Sequence, residues 1–199
     1  MNILRLGILA STNATDMQAI IDAIASGELA GVEIAAVISN KQDCGALQKA
    51  KKHGIPHAWV DPKDFASREE YDTKVAQLLD EAQVDLVLMI GYMRIVTNGF
   101  VTHFRNRMLN VHPSLLPAFG GGMDRNVHQD VLDSGVKVTG CTIHLVTEQV
   151  DGGPIVYQKA VEIAEDETVE SLKIKVQKLE QEGFVKILQS MIKGEISLS

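Results

Sequence analysis

The stretch from Met108 to Gly122, MLNVHPSLLPAFGGG, sets an amide and an imidazole two residues apart, at Asn110 and His112. Both residue types hold and move protons, and imidazole does so near neutral pH. In a strand, residues two apart point to one face, so the two side chains can address a single reacting atom. Pro113 and Pro117 fix φ and remove backbone donors, which keeps the strand exit in one course. A histidine in an apolar run can equally be a core residue with a satisfied hydrogen bond, so the position of His112 in the fold decides between the two roles.

The elements that would position this pair follow from the hydrophobic pattern. Apolar runs at Ile3–Ala10, Glu33–Ser39, His57–Val60, Val84–Ile90 and Arg107–Val111 read as strands. Helical spacing fills Asp16–Ala25, Gly45–His53 and Ser67–Ala82 between them, the alternation that a parallel sheet covered on both faces requires. Val138–Thr147 and Pro154–Ile163 are strand-like runs joined through EQVDGGP, short enough for neighbouring strands to be antiparallel. From Glu167 to Ile192 the apolar residues keep helical spacing, predicting a long final helix that packs back on the sheet. The class is α/β, Rossmann-like, with a mixed and mostly parallel sheet. Ligands of such sheets bind beyond the carboxyl ends of the strands, where ASTNATD, GYMRIV and NVHPSLLP converge.

At 199 residues with 45% hydrophobic content, the chain suits a single domain, 1–199, with a real core. Nineteen Lys and Arg against 26 Asp and Glu leave a net charge of −7, which argues against nucleic-acid partners. MNILRLGILAS is too short to span a bilayer and lacks a signal-peptide cleavage pattern, so a cytoplasmic protein with no membrane association is expected. Cys44 and Cys141 have neither metal-site nor disulfide-scaffold spacing, and no metal is expected. LGILASTNATD offers only Gly7, short of the spaced glycines of a dinucleotide turn.

MQAIIDAIASGELAGVEIAAVISNK, FASREEYD, GYMRIV, NVHPSLLP and VDGGPIV, in this order along the chain, resemble the phosphoribosylglycinamide formyltransferase family over nearly the whole chain. The resemblance implies transfer of a formyl group from 10-formyltetrahydrofolate to the amine of phosphoribosylglycinamide, a step of purine biosynthesis, by a monomer or homodimer acting on small molecules. It assigns catalysis to Asn110, His112 and Asp151. Attack of an amine on a carbonyl carbon builds negative charge on oxygen and positive charge on nitrogen. Asn110 would then donate to the oxygen, and Asp151 would raise the pKa of His112 and favour the imidazolium beside the developing oxyanion. Asp-Gly-Gly is also ordinary turn chemistry, which leaves Asp151 a second, structural role. The folate would lie against Met93, Arg94, Ile95 and Val96, and against Val146, Thr147, Glu148, Gln149, Val150 and Asp151, with Asn110 at the border and Arg68 facing its acidic tail.

The acceptor side departs from the family. A Gly-Ser-Asn run that holds a phosphate at a helix N-terminus is replaced by Ala14, Thr15 and Asp16, the first acceptable if its φ is negative. Asp16 either sets a carboxylate beside the phosphate or caps the helix that follows. Glu180 keeps an acid that contacts the acceptor in the family, while Gln181 stands where a histidine is usual. Gly120–Gly122 suggest a mobile lid bringing Arg125 or His128 toward a phosphate. These departures leave open another small amine as acceptor, hydrolysis of the formyl folate, or an idle folate-binding module.

Overall fold

The computed structural model describes residues 3–121 and 126–198; Gly122 and Arg125 of the expected lid lie outside them. Seven strands form one sheet in the order β3-β2-β1-β4-β5-β6-β7. β1 (Leu4–Leu9), β2 (Val32–Ser39), β3 (His57–Trp59), β4 (Leu86–Met89) and β5 (Met108–His112) run parallel. β6 (Val138–Leu145) and β7 (Ile155–Glu162) continue the sheet antiparallel. The mixed sheet expected from the two halves of the sequence is therefore present.

Helices cover both faces because the strands are apolar on both. On one face α1 (Thr15–Ala25), α2 (Gly45–Lys52) and the 24-residue α6 (Val169–Ile192) bury Met17, Leu47 and Phe184 against Leu6, Ile8 and Leu109. On the other, α3 (Arg68–Glu81) and α4 (Asn98–His103) pack Tyr71, Leu79 and Phe104 against Leu9, Val87 and Met108. Each fully buried side chain of this size contributes roughly 1.5–3 kcal/mol. α6 begins with a capping box between Thr168 and Ser171, which satisfies the first orphan N–H groups of the helix. α4 and α5 (Val127–Asp133) went unpredicted, being only six and seven residues long and too short for a clear period.

Where β6 meets β7 the backbones leave no room for a side chain. A Cβ on Gly140 would sit 1.9 Å from the Lys159 carbonyl oxygen and 2.9 Å from Leu115. Gly140→Ala should therefore destabilise the fold by about 1–3 kcal/mol, the usual cost of overpacking, read as a lower urea midpoint with an unchanged slope.

Candidate active site

A cleft of about 280 Å³ opens at the carboxyl end of the sheet, where β4, β5 and β6 end. One wall is the connection from β4 to α4, residues 91–96, and the other is the connection from β6 to β7, residues 146–151. Asn110 and His112 lie at its base. All the residues that the sequence assigned to the folate line this cleft except Arg68, whose guanidinium instead hydrogen-bonds the Ile95 carbonyl from outside the wall.

The seam between β5 and β6 builds the floor. Antiparallel pairing sets Asn110 directly opposite His144 and His112 opposite Thr142. The His144 Nδ1 donates to the Leu145 carbonyl at 2.9 Å, which leaves Nε2 to accept from the Asn110 amide at 3.2 Å. That bond uses one amide hydrogen of Asn110 and orients the other. Asp151 lies between the two imidazoles, 3.5 Å from Nδ1 of His112 and 3.7 Å from Nε2 of His144. Its carboxyl is held below the usual range against the effect of burial, and the Gly121 N–H donates to it. Asp151 also has φ 53, a left-handed turn conformation that Asp tolerates, so it serves the turn and the site together. Gly153 completes this turn, since a Cβ there would meet the Leu145 oxygen at 1.8 Å.

His112 is 6% exposed, and Nε2 donates to the Phe119 carbonyl at 3.0 Å. Burial lowers its pKa below 6.5, and the opposing effect of Asp151 does not overcome it. Asp151 raises the His112 pKa as expected, but burial outweighs it, so His112 is mainly neutral at pH 7, with its free lone pair at Nδ1 facing Asp151. Both neighbours would be satisfied only by the doubly protonated ring, so the site favours charge on His112 by geometry and resists it by desolvation.

Two side chains that the sequence reading missed hold the strand exit. The Thr142 hydroxyl donates to the Ser114 carbonyl at 2.7 Å and accepts from the Leu116 N–H at 3.0 Å. Gln158 reaches both Thr142 and the Leu116 carbonyl at 3.0 Å. The two prolines are thus backed by a buried polar network that carries the chain to Phe119 and Gly121. Gly121 donates to Asp151 at 2.9 Å, so this part of the glycine run is tied to the site. These long-range contacts have no local signal; among the missed residues His144 alone carried one, as a polar residue in an apolar run.

On the opposite face of the sheet the acceptor-side residues take an unexpected arrangement. The N-cap of α1 is Ala14, with φ 43, so the condition for an easy exchange, a negative φ, is not met and the backbone retains a conformation that suits glycine. Asp16 lies inside the first turn and does not cap. It is 3% exposed, and its Oδ1 has no hydrogen-bond partner among the described residues. Burial raises its pKa to about 7, while Lys49 opposes the rise. Glu180 on α6 is also buried, and burial followed by the proximity of Asp16 raises it well above the usual carboxylate range. His128 is held mainly neutral by burial, and its Nδ1 has no partner among the described residues.

A cleft that brings an amide donor, a neutral imidazole and a carboxylate to one point at the carboxyl end of a Rossmann-like sheet defines a group-transfer enzyme acting on a carbonyl. Residues 4–188 match the formyl transferase domain family. The chain is 36% identical to the phosphoribosylglycinamide formyltransferase of Haemophilus influenzae, over 98% of this chain and 90% of that protein. It is 39% identical, over 99% of its length, to the trifunctional purine biosynthetic protein adenosine-3 of Gallus gallus, of which it spans 19%. The crystal structure of glycinamide ribonucleotide transformylase 1 from Symbiobacterium toebii superposes with a TM-score of 0.91 at 39% identity, covering 96% of this chain and 89% of that one. The chain belongs to the formyl transferase family, among the phosphoribosylglycinamide formyltransferases.

The buried acid pair carries a stability prediction. Asp16 holds its proton more tightly in the folded chain than at its ordinary value of 3.8, so stability is lost as pH rises from there through about 7. Asp16→Asn, neutral and of equal size, should be more stable than the parent at pH 8 by roughly 1–3 kcal/mol, with the gap narrowing toward pH 4. Urea unfolding of both forms at three pH values measures it.

Proposed function

We propose that this protein transfers the formyl group of 10-formyltetrahydrofolate to the amine of phosphoribosylglycinamide in purine biosynthesis. The observation that carries the reading is the convergence of Asn110, His112 and Asp151 at the base of a cleft of suitable size, between the two connections where a folate ring would lie. The protein acts as a single formyltransferase domain over residues 1–199, in the cytoplasm, as a monomer or homodimer; no helix among the described residues is long and apolar enough to cross a membrane.

The chemistry follows from the resting state of the site. As the acceptor amine attacks the formyl carbon, the free N–H of Asn110 donates to the oxygen that gains charge. The amine nitrogen becomes acidic and gives up its proton toward the Nδ1 lone pair of His112, directly or through a water held by Asp151. The imidazolium so formed is bonded to the Phe119 carbonyl at one nitrogen and faces Asp151 at the other, beside the new oxyanion. Collapse of the tetrahedral intermediate breaks the bond to the folate nitrogen, which leaves with the proton that His112 returns, directly or through the same water, restoring the neutral ring. Neutral His112 at rest thus serves as base first and charge stabiliser second.

The acceptor would extend from this point toward the start of α1, at Ala14 and Thr15, and toward Glu180.

Product identification after incubating the protein with 10-formyltetrahydrofolate and phosphoribosylglycinamide, an unphosphorylated amine or no acceptor separates transfer to either amine from hydrolysis. No product in any arm would leave a folate-binding module. His112→Ala should lower kcat by about 100-fold or more with little change in folate affinity, as expected for a group acting in the transition state. Asp151→Asn removes the charge that raises the His112 pKa, so the acid limb of the kcat profile should move to lower pH while the maximum falls.

A further inference from the structure

The wall of the cleft made by residues 91–96 is a connection without regular structure, so something outside it must fix its shape. Three contacts to it come from one face of the first turns of α3, at positions 68, 71 and 72, the spacing that aligns side chains on a helix. Arg68 holds the Ile95 carbonyl. The Tyr71 hydroxyl meets that of Tyr92 at 3.1 Å, and its ring lies 4.3 Å beneath the Arg94 guanidinium. The Asp72 carboxylate accepts from the Thr97 N–H at 2.6 Å, at the point where the wall turns into α4.

The burial of these groups separates them from surface decoration. Tyr71 is 0% and Asp72 4% exposed, although both sit in a charged stretch, SREEYD, that reads as a solvated helix face. A carboxylate placed there costs desolvation free energy, which a charge-assisted bond to a backbone N–H offsets. The Arg94 side chain is drawn outward onto Tyr71, and its Nε is buried without a hydrogen-bond partner among the described residues. The one cation of the segment is thus held against Tyr71 of α3.

We propose that Tyr71 and Asp72 are positioning residues for the formyl donor: they hold the 91–96 wall in its ligand-ready shape before the donor arrives. The inference rests on the folate reading of the cleft. Neither side chain lines the cleft, so neither touches the donor. Their contribution is pre-organisation, which acts on affinity because the ordering cost of the wall is met during folding and not at binding.

The test measures 5-formyltetrahydrofolate binding by fluorescence titration, together with kcat and KM for 10-formyltetrahydrofolate at saturating phosphoribosylglycinamide. Asp72→Ala should raise both Kd and KM about tenfold while kcat stays within about twofold, the signature of lost uniform binding. Asp72→Asn keeps an oxygen for the Thr97 N–H and should restore both constants to within about twofold of the parent. Tyr71→Phe, which removes one oxygen and keeps the ring under Arg94, should raise KM about threefold. A folded Asp72→Ala protein with parental Kd and KM overturns the proposal, as does an Asp72→Asn protein as impaired as Asp72→Ala. Should Asp72→Ala fail to fold, an unchanged KM in Tyr71→Phe overturns it. A parent protein that binds no reduced folate defeats the folate reading itself, a result distinct from parental binding that the variants leave unaltered.

Discussion

The antiparallel seam between β5 and β6 is the constraint on which the site depends. A parallel sheet extended by one more parallel strand would have set the ends of neighbouring strands side by side and left the residues before them in the core. Reversing β6 places His144 across from Asn110 and Thr142 across from His112, so two polar pairs form within the ladder. The connection out of β6 then returns over the end of β5 and delivers Asp151 between the two imidazoles. A slip of one residue in this register would turn His144 and Thr142 to the other face, against α6, and undo every one of these contacts.

The imidazole at the centre shows how opposing effects are balanced. Desolvation alone would make His112 a poor proton acceptor in an apolar cavity, and a carboxylate alone would leave it charged and unable to accept a proton. With both, the neutral ring is the resting form and the charged ring is the one its partners can fully bond. The balance depends on Phe119, whose φ of 60 turns its carbonyl to Nε2, and hence on the Ser114, Thr142 and Gln158 network that fixes the preceding turn. Pre-alignment of the reacting groups is thus supplied by backbone geometry rooted in the sheet, the rigid part of the molecule.

How much of this was legible in the sequence depends on the range of the interaction. The parallel strands announce themselves as continuous apolar runs, and α6 by its period over more than twenty residues, because burial imposes local patterns. Asn110 and His112 were legible through their i, i+2 spacing, while Asp151 and the two walls of the cleft came from family resemblance. His144, Thr142 and Gln158 escaped notice because each acts on a residue at least sixteen positions away. The depth of Asp16 was hidden for a similar reason: a carboxylate in a first turn reads as a cap or an exposed charge until α6 is laid over it with Glu180. The pKa of His112 was misjudged because sequence shows which charge is nearby but not how much water is absent.

The two described ends of the chain lie together at the amino end of the sheet. Ile3 and Leu198 line one groove with Asp85, Leu86 and Arg107, at the starts of β4 and β5. The cleft opens at the other end, beyond the termini of the same strands. A tether attached at either end would therefore leave the mouth of the cleft unobstructed, and both tethers would emerge on one side.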